Sequence, residues 1–325
     1  MKKLILNIIR IIISLGLLFY LLYIADVRKI FQALQNLDGS SIFLAIAVFI
    51  FSVLLMAARW RFLTRSYGMQ VKYGHLTIFY FIGFFFNNFL PTSIGGDLSR
   101  AYYLSQKSGD KSASIGTVFL ERLIGLLATL SFAIVSLYWL TNYFHTRRIV
   151  YITIFISLVI ALFIAVVMSR RLYRRFNGLL SLFTFYDLGD KITKVFDTLH
   201  SYRDKKGILL GTYLFSLVAQ LMLILMNYIL ARALNLTEIS FGYLCLVVPI
   251  TFVIGLLPSI NGLGVRDSGY MLLLLRRGLQ PAQILSLSFS VTIIPIIVSF
   301  VGGAFFLFYR HKGLKSPELK EGNVI

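Results

Sequence analysis

The sequence predicts an all-α fold: a polytopic membrane helix bundle of six full spans plus two re-entrant hairpins, in inverted repeats, with both termini cytoplasmic. Three observations predict it. Of the 325 residues 58% are hydrophobic, and mean hydropathy is +0.82, a balance that polytopic membrane proteins carry and soluble globules do not. Lysine and arginine gather between the apolar runs, giving a formal net charge of +19 although only 14% of residues are charged. Such a charge on a soluble chain would suggest nucleic acid. Here loops facing anionic lipid account for it, so membrane lipids and no nucleic acid are the expected partners. Finally, a Gly-rich, charged dodecamer occurs twice, FLPTSIGGDLSR from Phe89 to Arg100 and LLPSINGLGVRD from Leu256 to Asp267, with Pro91 and Pro258 standing 167 residues apart.

The elements follow in order. The N-terminal MKKLILNIIRIIISLGLLFYLLYIAD opens as a signal peptide does. Its apolar run is too long and has no small-residue cleavage site, so a retained span over 4–24 is expected. Residues 27–37 carry an amphipathic stripe (Val27, Ile30, Phe31, Leu34, Leu37) suited to an interfacial helix or a cover on the bundle end. Residues 42–58 make a second span, followed by a basic loop, 59–75, with Arg59, Arg61, Arg65 and Lys72. Segment 76–90 is short, about 22 Å as a helix, and runs into the first dodecamer. Spans at 112–140 and 149–168 follow. The loop 169–206 then holds nine basic residues, among them Arg170, Arg171, Lys191 and Lys206, and must be cytoplasmic. Within it, 190–204 places Ile192, Val195, Phe196, Leu199 and Tyr202 opposite Lys191, Lys194 and Arg203, a second interfacial stripe. Span 207–230, the short segment 243–257 and span 283–309 complete the hydrophobic run. The tail 310–325 is polar and basic, and no soluble catalytic domain is expected.

Parity decides how the short segments are counted. The chain passes from cytoplasmic loop 59–75 to cytoplasmic loop 169–206 in an even number of crossings, and 112–140 and 149–168 provide two. Residues 76–111 must therefore enter and leave on the cytoplasmic side. The same logic makes 243–277 dip in and return from the outer side. The rival count, with 243–257 and 262–275 both spanning, needs a 14-residue span containing Arg266 and Asp267 and ranks second. The chain thus reads as one integral membrane domain, 1–325, with repeat one at 4–140 and repeat two at 149–309 in opposite orientation, a transporter architecture. Pro91, Gly95, Gly96, Pro258, Gly262 and Gly264 form the two hairpin tips. Irregular backbone at membrane depth is tolerated only against protein or a wet cavity, so the tips should meet at one.

The candidate lipid- or phosphate-binding residues are Arg100, Arg266, Arg122, Asn87, Asn88 and Asn261. Parity puts Arg266 on the outer side, where positive-inside bias does not explain it, and a guanidinium is suited to bidentate phosphate binding. Asp97, Glu121 and Asp267 are the candidate charge partners. Glu121 lies about 14 Å into its span, at a depth where charges are paired or functional. Arg100 and Arg266 are its expected partners, and an acid or a lipid phosphate that of Arg122; a structural brace accounts for these charges as well as a substrate contact does. Asn87, Asn88 and Asn261 suit helix capping as well as cavity lining. The run FYFIGFFF (79–86) reads as wall. Four scattered histidines, at loop positions, and the single Cys245 form no metal or acid–base constellation, so no catalytic residue, metal or cofactor is expected.

Three stretches in order, NNFLPTSIGGDLSRAYYL, FLERLIGLL and LLPSINGLGVRDSGY, resemble the lysylphosphatidylglycerol synthase transmembrane family over about 4–310. This is the flippase-like domain of multiple peptide resistance factor proteins, here in a stand-alone form. The resemblance implies a bacterial or archaeal inner-membrane protein with two re-entrant helices around a lipid cavity. It carries over Pro91, Gly95, Gly96, Asp97, Arg100, Glu121, Arg122, Pro258, Gly262, Gly264 and Arg266. The family's second motif often closes Arg-Glu, and Asp267 is a shorter acid there. Without a soluble domain, synthesis of lysyl-lipid is not expected. The expected function is translocation of a phospholipid or a polyprenyl-phosphate-linked headgroup across the cytoplasmic membrane. The alternatives are a membrane-embedded polyprenyl-phosphate-sugar glycosyltransferase with Asp267 or Asp26 as base, and a non-transporting partner of a separate envelope-lipid enzyme.

Overall fold

A computed structural model describes residues 16–89, 95–139, 188–257, 259 and 262–311, with 154–155, 158–159 and 162. The first 15 residues of the chain, most of the expected span 149–168, the tip residues Pro91, Pro258 and Asn261, and the tail beyond 311 lie outside these. The described chain is helical, with no strand: α1 Gly16–Ala25, α2 Val27–Gln35, α3 Gly39–Ser66, α4 Tyr73–Phe89, α5 Gly95–Ser108, α6 Lys111–Trp139, α7 Leu188–His200, α8 Lys206–Ala233, α9 Phe241–Ile254, α10 Val265–Leu274 and α11 Pro281–His311. Four of them, α3, α6, α8 and α11, are long and apolar enough to cross a bilayer.

Local chemistry sets several boundaries. Asp38 starts α3 by accepting from the Ser41 amide at 3.2 Å, and Ser240 starts α9 by accepting from the Tyr243 amide at 3.2 Å, each satisfying a donor the helix leaves open. The helix α10 begins at Gly264, whose φ of 76° is open to glycine. The Asp267 carboxylate accepts from the Gly264 amide at 2.8 Å.

The α3 boundary differs from the expected one. Residues 59–66 continue the helix and are not a loop, and Arg59 is only 8% exposed. Trp60, Leu63 and Thr64 extend the buried stripe begun by Val53 and Ala57, so packing carries the helix past the arginines.

The register between the two dodecamers extends to the helices. Shifting α3 by the 167 residues that separate Pro91 from Pro258 reproduces α8, Lys206–Ala233. The same shift lays α4 on α9, α5 on α10 and α6 on α11 with ends differing by a few residues. The packing obeys the same exchange. Helix α4 packs on α11 as α6 packs on α9, α2 packs on α11 as α7 packs on α6, and α3 packs on α8, its own counterpart. The two counterparts are antiparallel: Lys205, just before α8, donates to the Ser66 carbonyl at the end of α3, while Arg59 reaches Ser216 at 2.7 Å. Each half contributes a pair of short helices, α4–α5 and α9–α10.

Glycines let these short helices approach. A Cβ on Gly83 of α4 would lie 3.1 Å from the Gly96 carbonyl of α5, and one on Gly269 of α10 would lie 3.1 Å from Ile254 of α9. The amphipathic helix α7 buries Thr198 and Leu199, Thr198 facing Gly116 of α6, and the Tyr202 hydroxyl donates to the Leu63 carbonyl at 2.7 Å. It therefore covers one end of the bundle.

Candidate functional site

A cavity of about 330 Å³ opens between the two short-helix pairs. Asn87, Gly96, Asp97 and Arg100 reach it from the first pair, and Thr251, Gly255, Gly262 and Arg266 from the second. Its size is that of a small-ligand site.

The first pair brings a charged cluster. Glu121, fully buried on α6, accepts from Arg59 Nε at 2.8 Å and from Arg100 Nη1 at 3.0 Å, and the Tyr80 hydroxyl donates to the same carboxylate. Arg59 Nη2 also lies 2.8 Å from it. Of the two partners expected for Glu121, Arg100 is in contact and Arg266 is not among its ion pairs. Arg100 continues the chain to Asp97 at 2.6 Å, and the other Asp97 oxygen pairs with Arg122. Rings cover the Arg100 guanidinium as well: its centre is 4.1 Å from the Tyr80 ring and 5.2 Å from Trp60, favourable cation–π distances. Arg100 is thus held on several sides. Charges removed from water this far survive only when paired and hydrogen-bonded, and each carboxylate oxygen here meets a guanidinium.

The second pair is built differently. Arg100 and Glu121 shifted by the 167-residue repeat become Asp267 and Ser288, and those two are also bonded, Ser288 donating to the Asp267 carboxylate. The contact is kept and its chemistry exchanged. Fully buried Asp267 serves as the α10 cap and forms no ion pair with Arg266 among the described residues. Arg266 is the register counterpart of Ser99, one position off Arg100, so the two arginines approach the cavity from non-equivalent positions. Arg266 Nη2 donates to the Thr292 hydroxyl, and its buried Nε has no hydrogen-bond partner. Four guanidiniums (Arg59, Arg100, Arg122, Arg266) face two carboxylates (Asp97, Glu121) around the cavity, a formal charge of +2.

The asparagines take separate places. Asn87 Oδ1 accepts from the Gly96 amide at 2.7 Å, capping α5, and the Asn88 amide donates to Ser299 of α11. Asn261, like Pro91 and Pro258, lies outside the described residues. Gly95 and Gly96 open α5 and are buried. Gly262 and Gly264 have positive φ, 78° and 76°. His75 lies in the first turn of α4 and His200 ends α7, so neither is a loop residue. Among the described residues no three His, Cys, Asp or Glu side chains converge as metal ligands would.

Sequence reasoning missed Arg59 and Tyr80. Arg59 falls where basic residues ordinarily mark a cytoplasmic loop. The signal that it lies inside a helix is the Ala57, Trp60, Leu63 and Thr64 stripe running through it. Tyr80 is hidden in an aromatic run, where nothing local separates one hydroxyl from its neighbours.

Comparison with known proteins gives one family. The model of the lysylphosphatidylglycerol synthase TM region matches residues 7–303. A UPF0104 membrane protein of Methanocaldococcus jannaschii is 23% identical, over 92% of this chain and 91% of the relative. One of Pyrococcus horikoshii is 26% identical over 89% and 92%, and one of Methanothermobacter thermautotrophicus 24% over 90% and 90%. No solved structure matches.

Proposed function

The chain belongs to the family of the lysylphosphatidylglycerol synthase transmembrane region, and from that premise we propose that it translocates an anionic lipid headgroup, of a phospholipid or a polyprenyl phosphate, across the cytoplasmic membrane. The observation that carries this reading is the net-positive cavity shared by both short-helix pairs. It is lined by Asp97, Arg100 and Arg122 on one side and by Arg266 on the other.

In this reading repeat one is 4–140 and repeat two 149–309. Spans 4–24 and 149–168 join the four long helices, and α4–α5 and α9–α10 are re-entrant hairpins from opposite faces. The antiparallel α3–α8 pair and the exchange of contacts at a constant register support an inverted repeat. With α3 ending and α6 beginning at the cytoplasmic face, Arg59 and Glu121 sit about 10 and 15 Å deep. The headgroup phosphate occupies the cavity while the acyl chains stay in lipid. Inverted repeats supply two oppositely facing states of similar energy, between which the hairpins exchange access. Both termini and the tail 310–325 are cytoplasmic.

Asp267 and Asp26, the bases of the glycosyltransferase alternative, give it no support: Asp267 is fully buried as a cap, and Asp26 caps α2 by accepting from the Arg28 amide at 3.1 Å. Service to a separate envelope-lipid enzyme leaves the cavity arginines without a role.

Reconstitution tests the proposal. Proteoliposomes with fluorescent phosphatidylglycerol or polyprenyl phosphate should expose the inner-leaflet probe to an external quencher faster than empty liposomes do. Equal rates across both lipids would remove the reading.

A further inference from the structure

The cavity's hydrogen-bonding groups are unevenly presented. Three amide side chains line it: Asn87, Gln220 and Asn227. All three turn their oxygens to the protein. Asn87 Oδ1 accepts from the Gly96 amide at 2.7 Å, Gln220 Oε1 from the Thr129 hydroxyl at 3.1 Å and Asn227 Oδ1 from the Tyr270 hydroxyl at 2.6 Å. The amide nitrogens of Asn87 and Gln220 have no partner among the described residues. Arg266 adds a buried Nε in the same condition. The acceptors are in the opposite state. Asp97 and Glu121 have a guanidinium on each carboxylate oxygen. The wall is therefore rich in donors, and its negative charge is already paired.

We infer that the headgroup this cavity takes is a phosphate ester rich in hydroxyl or ether oxygens and carrying no amine, with Arg266 on the phosphate and the Asn87 and Gln220 amides on the polyol. The inference rests on the proposed function and narrows it to a substrate class. A phosphate oxygen satisfies Arg266 with a charge-assisted bond. Hydroxyl and ether oxygens satisfy the amide donors, whose burial without partners would otherwise cost free energy. An ammonium meets a formally positive cavity in which each carboxylate already neutralises an arginine. It must displace one of those arginines to bind, and this selects against aminoacylated and ethanolamine headgroups.

Ligand-induced thermal stabilisation of the purified full chain in detergent tests this without requiring transport. The probes are the dioctanoyl forms of phosphatidylglycerol, phosphatidylinositol, phosphatidylethanolamine and lysyl-phosphatidylglycerol, with glycerol phosphate as the lipid-free ester. Phosphatidylglycerol and phosphatidylinositol should half-saturate at concentrations at least tenfold below both amine-bearing lipids. Arg266→Gln should weaken them tenfold or more. Thr292→Val, which removes only the residue that orients Arg266, should weaken them severalfold if the first variant folds poorly. Gln220→Glu, which puts an acceptor where a donor stood, should shift the preference toward the amine-bearing lipids, whereas Gln220→Leu should not. Equal or tighter binding of the amine-bearing lipids by the unmodified chain, or no stabilisation by any probe, overturns the inference. Glycerol phosphate as effective as phosphatidylglycerol keeps the headgroup class and removes the lipid. Selective lipid binding without translocation in liposomes keeps this inference and removes the proposed function.

Discussion

Replacing Glu121 with glutamine removes the acid at the centre of the buried cluster while keeping its shape. Glu121 is fully buried and meets Arg59 through Nε and Nη2, both at 2.8 Å, Arg100 through Nη1 at 3.0 Å, and the Tyr80 hydroxyl. Glutamine keeps one acceptor oxygen and turns a donor toward a guanidinium. Removing one partner of a buried ion pair costs about 3–5 kcal/mol, because the remaining charge stays buried. Arg59→Met should be costly for the same reason. The double variant leaves Arg100 paired with Asp97, so it should be less destabilised than the two singles summed. A charge-assisted hydrogen bond contributes about 1.5–3 kcal/mol, which sets the expected coupling at about 2 kcal/mol. The assay is unfolding in mixed detergent micelles followed by tryptophan emission. Trp60 reports directly, because its ring lies 5.2 Å from the Arg100 guanidinium. A Glu121→Gln cost below about 1 kcal/mol, or single effects that add to within about 0.5 kcal/mol, would refute a coupled buried network.

Three further outcomes follow from the same structure. Gly302 of α11 packs directly on the Phe81 backbone, where an added Cβ would overlap the carbonyl; Gly302→Ala should destabilise the chain by about 1–3 kcal/mol, and an unchanged melting temperature would contradict the α4–α11 packing. Cysteines at Ser99 and Ser268 should be labelled by impermeant reagents from opposite faces of the membrane, and labelling of both from one face would contradict inverted hairpins. Asp38 has its carboxyl held below the usual range, first by its hydrogen bond with the Ser40 side chain and then by the Ser40 and Ser41 amides. A depressed carboxylate lends stability that is present above its unfolded value and lost as pH falls through the folded one. Acid should therefore weaken the α3 start below about pH 4, and Asp38→Ala should abolish that part of the pH dependence; an identical acid profile in both chains would count against the cap.

Much of the architecture was legible because hydrophobic length and helix-breaking residues act locally. The two 15-residue segments before the dodecamers emerge as the short helices α4 and α9, and the spacing of Pro91 and Pro258 is the register that relates the long helices. Partner identities were not legible, since they depend on which helices interleave. That α4 lies on α11 and α6 on α9 is a long-range fact that periodicity does not encode. Arg59 shows the local limit: the same arginine is a loop marker in an isolated chain and an ion-pair partner once α6 delivers Glu121 to it. Asp267 shows the converse. The recurrence of acid and arginine in both dodecamers suggested equivalent charge clusters, yet a shift of one position turns Asp267 into a cap and leaves Arg266 with Thr292.

The central claim is that an anionic headgroup crosses through the cavity between the hairpins and is held there by Arg266. The direct test is the translocation rate of fluorescent phosphatidylglycerol in proteoliposomes holding equal amounts of the unmodified chain or of Arg266→Ala. Losing a charge-assisted phosphate contact of about 1.5–3 kcal/mol predicts a rate roughly tenfold lower or less for the variant, with the unmodified chain well above empty liposomes. Equal rates in the two chains, or an unmodified chain no faster than empty liposomes, would contradict it.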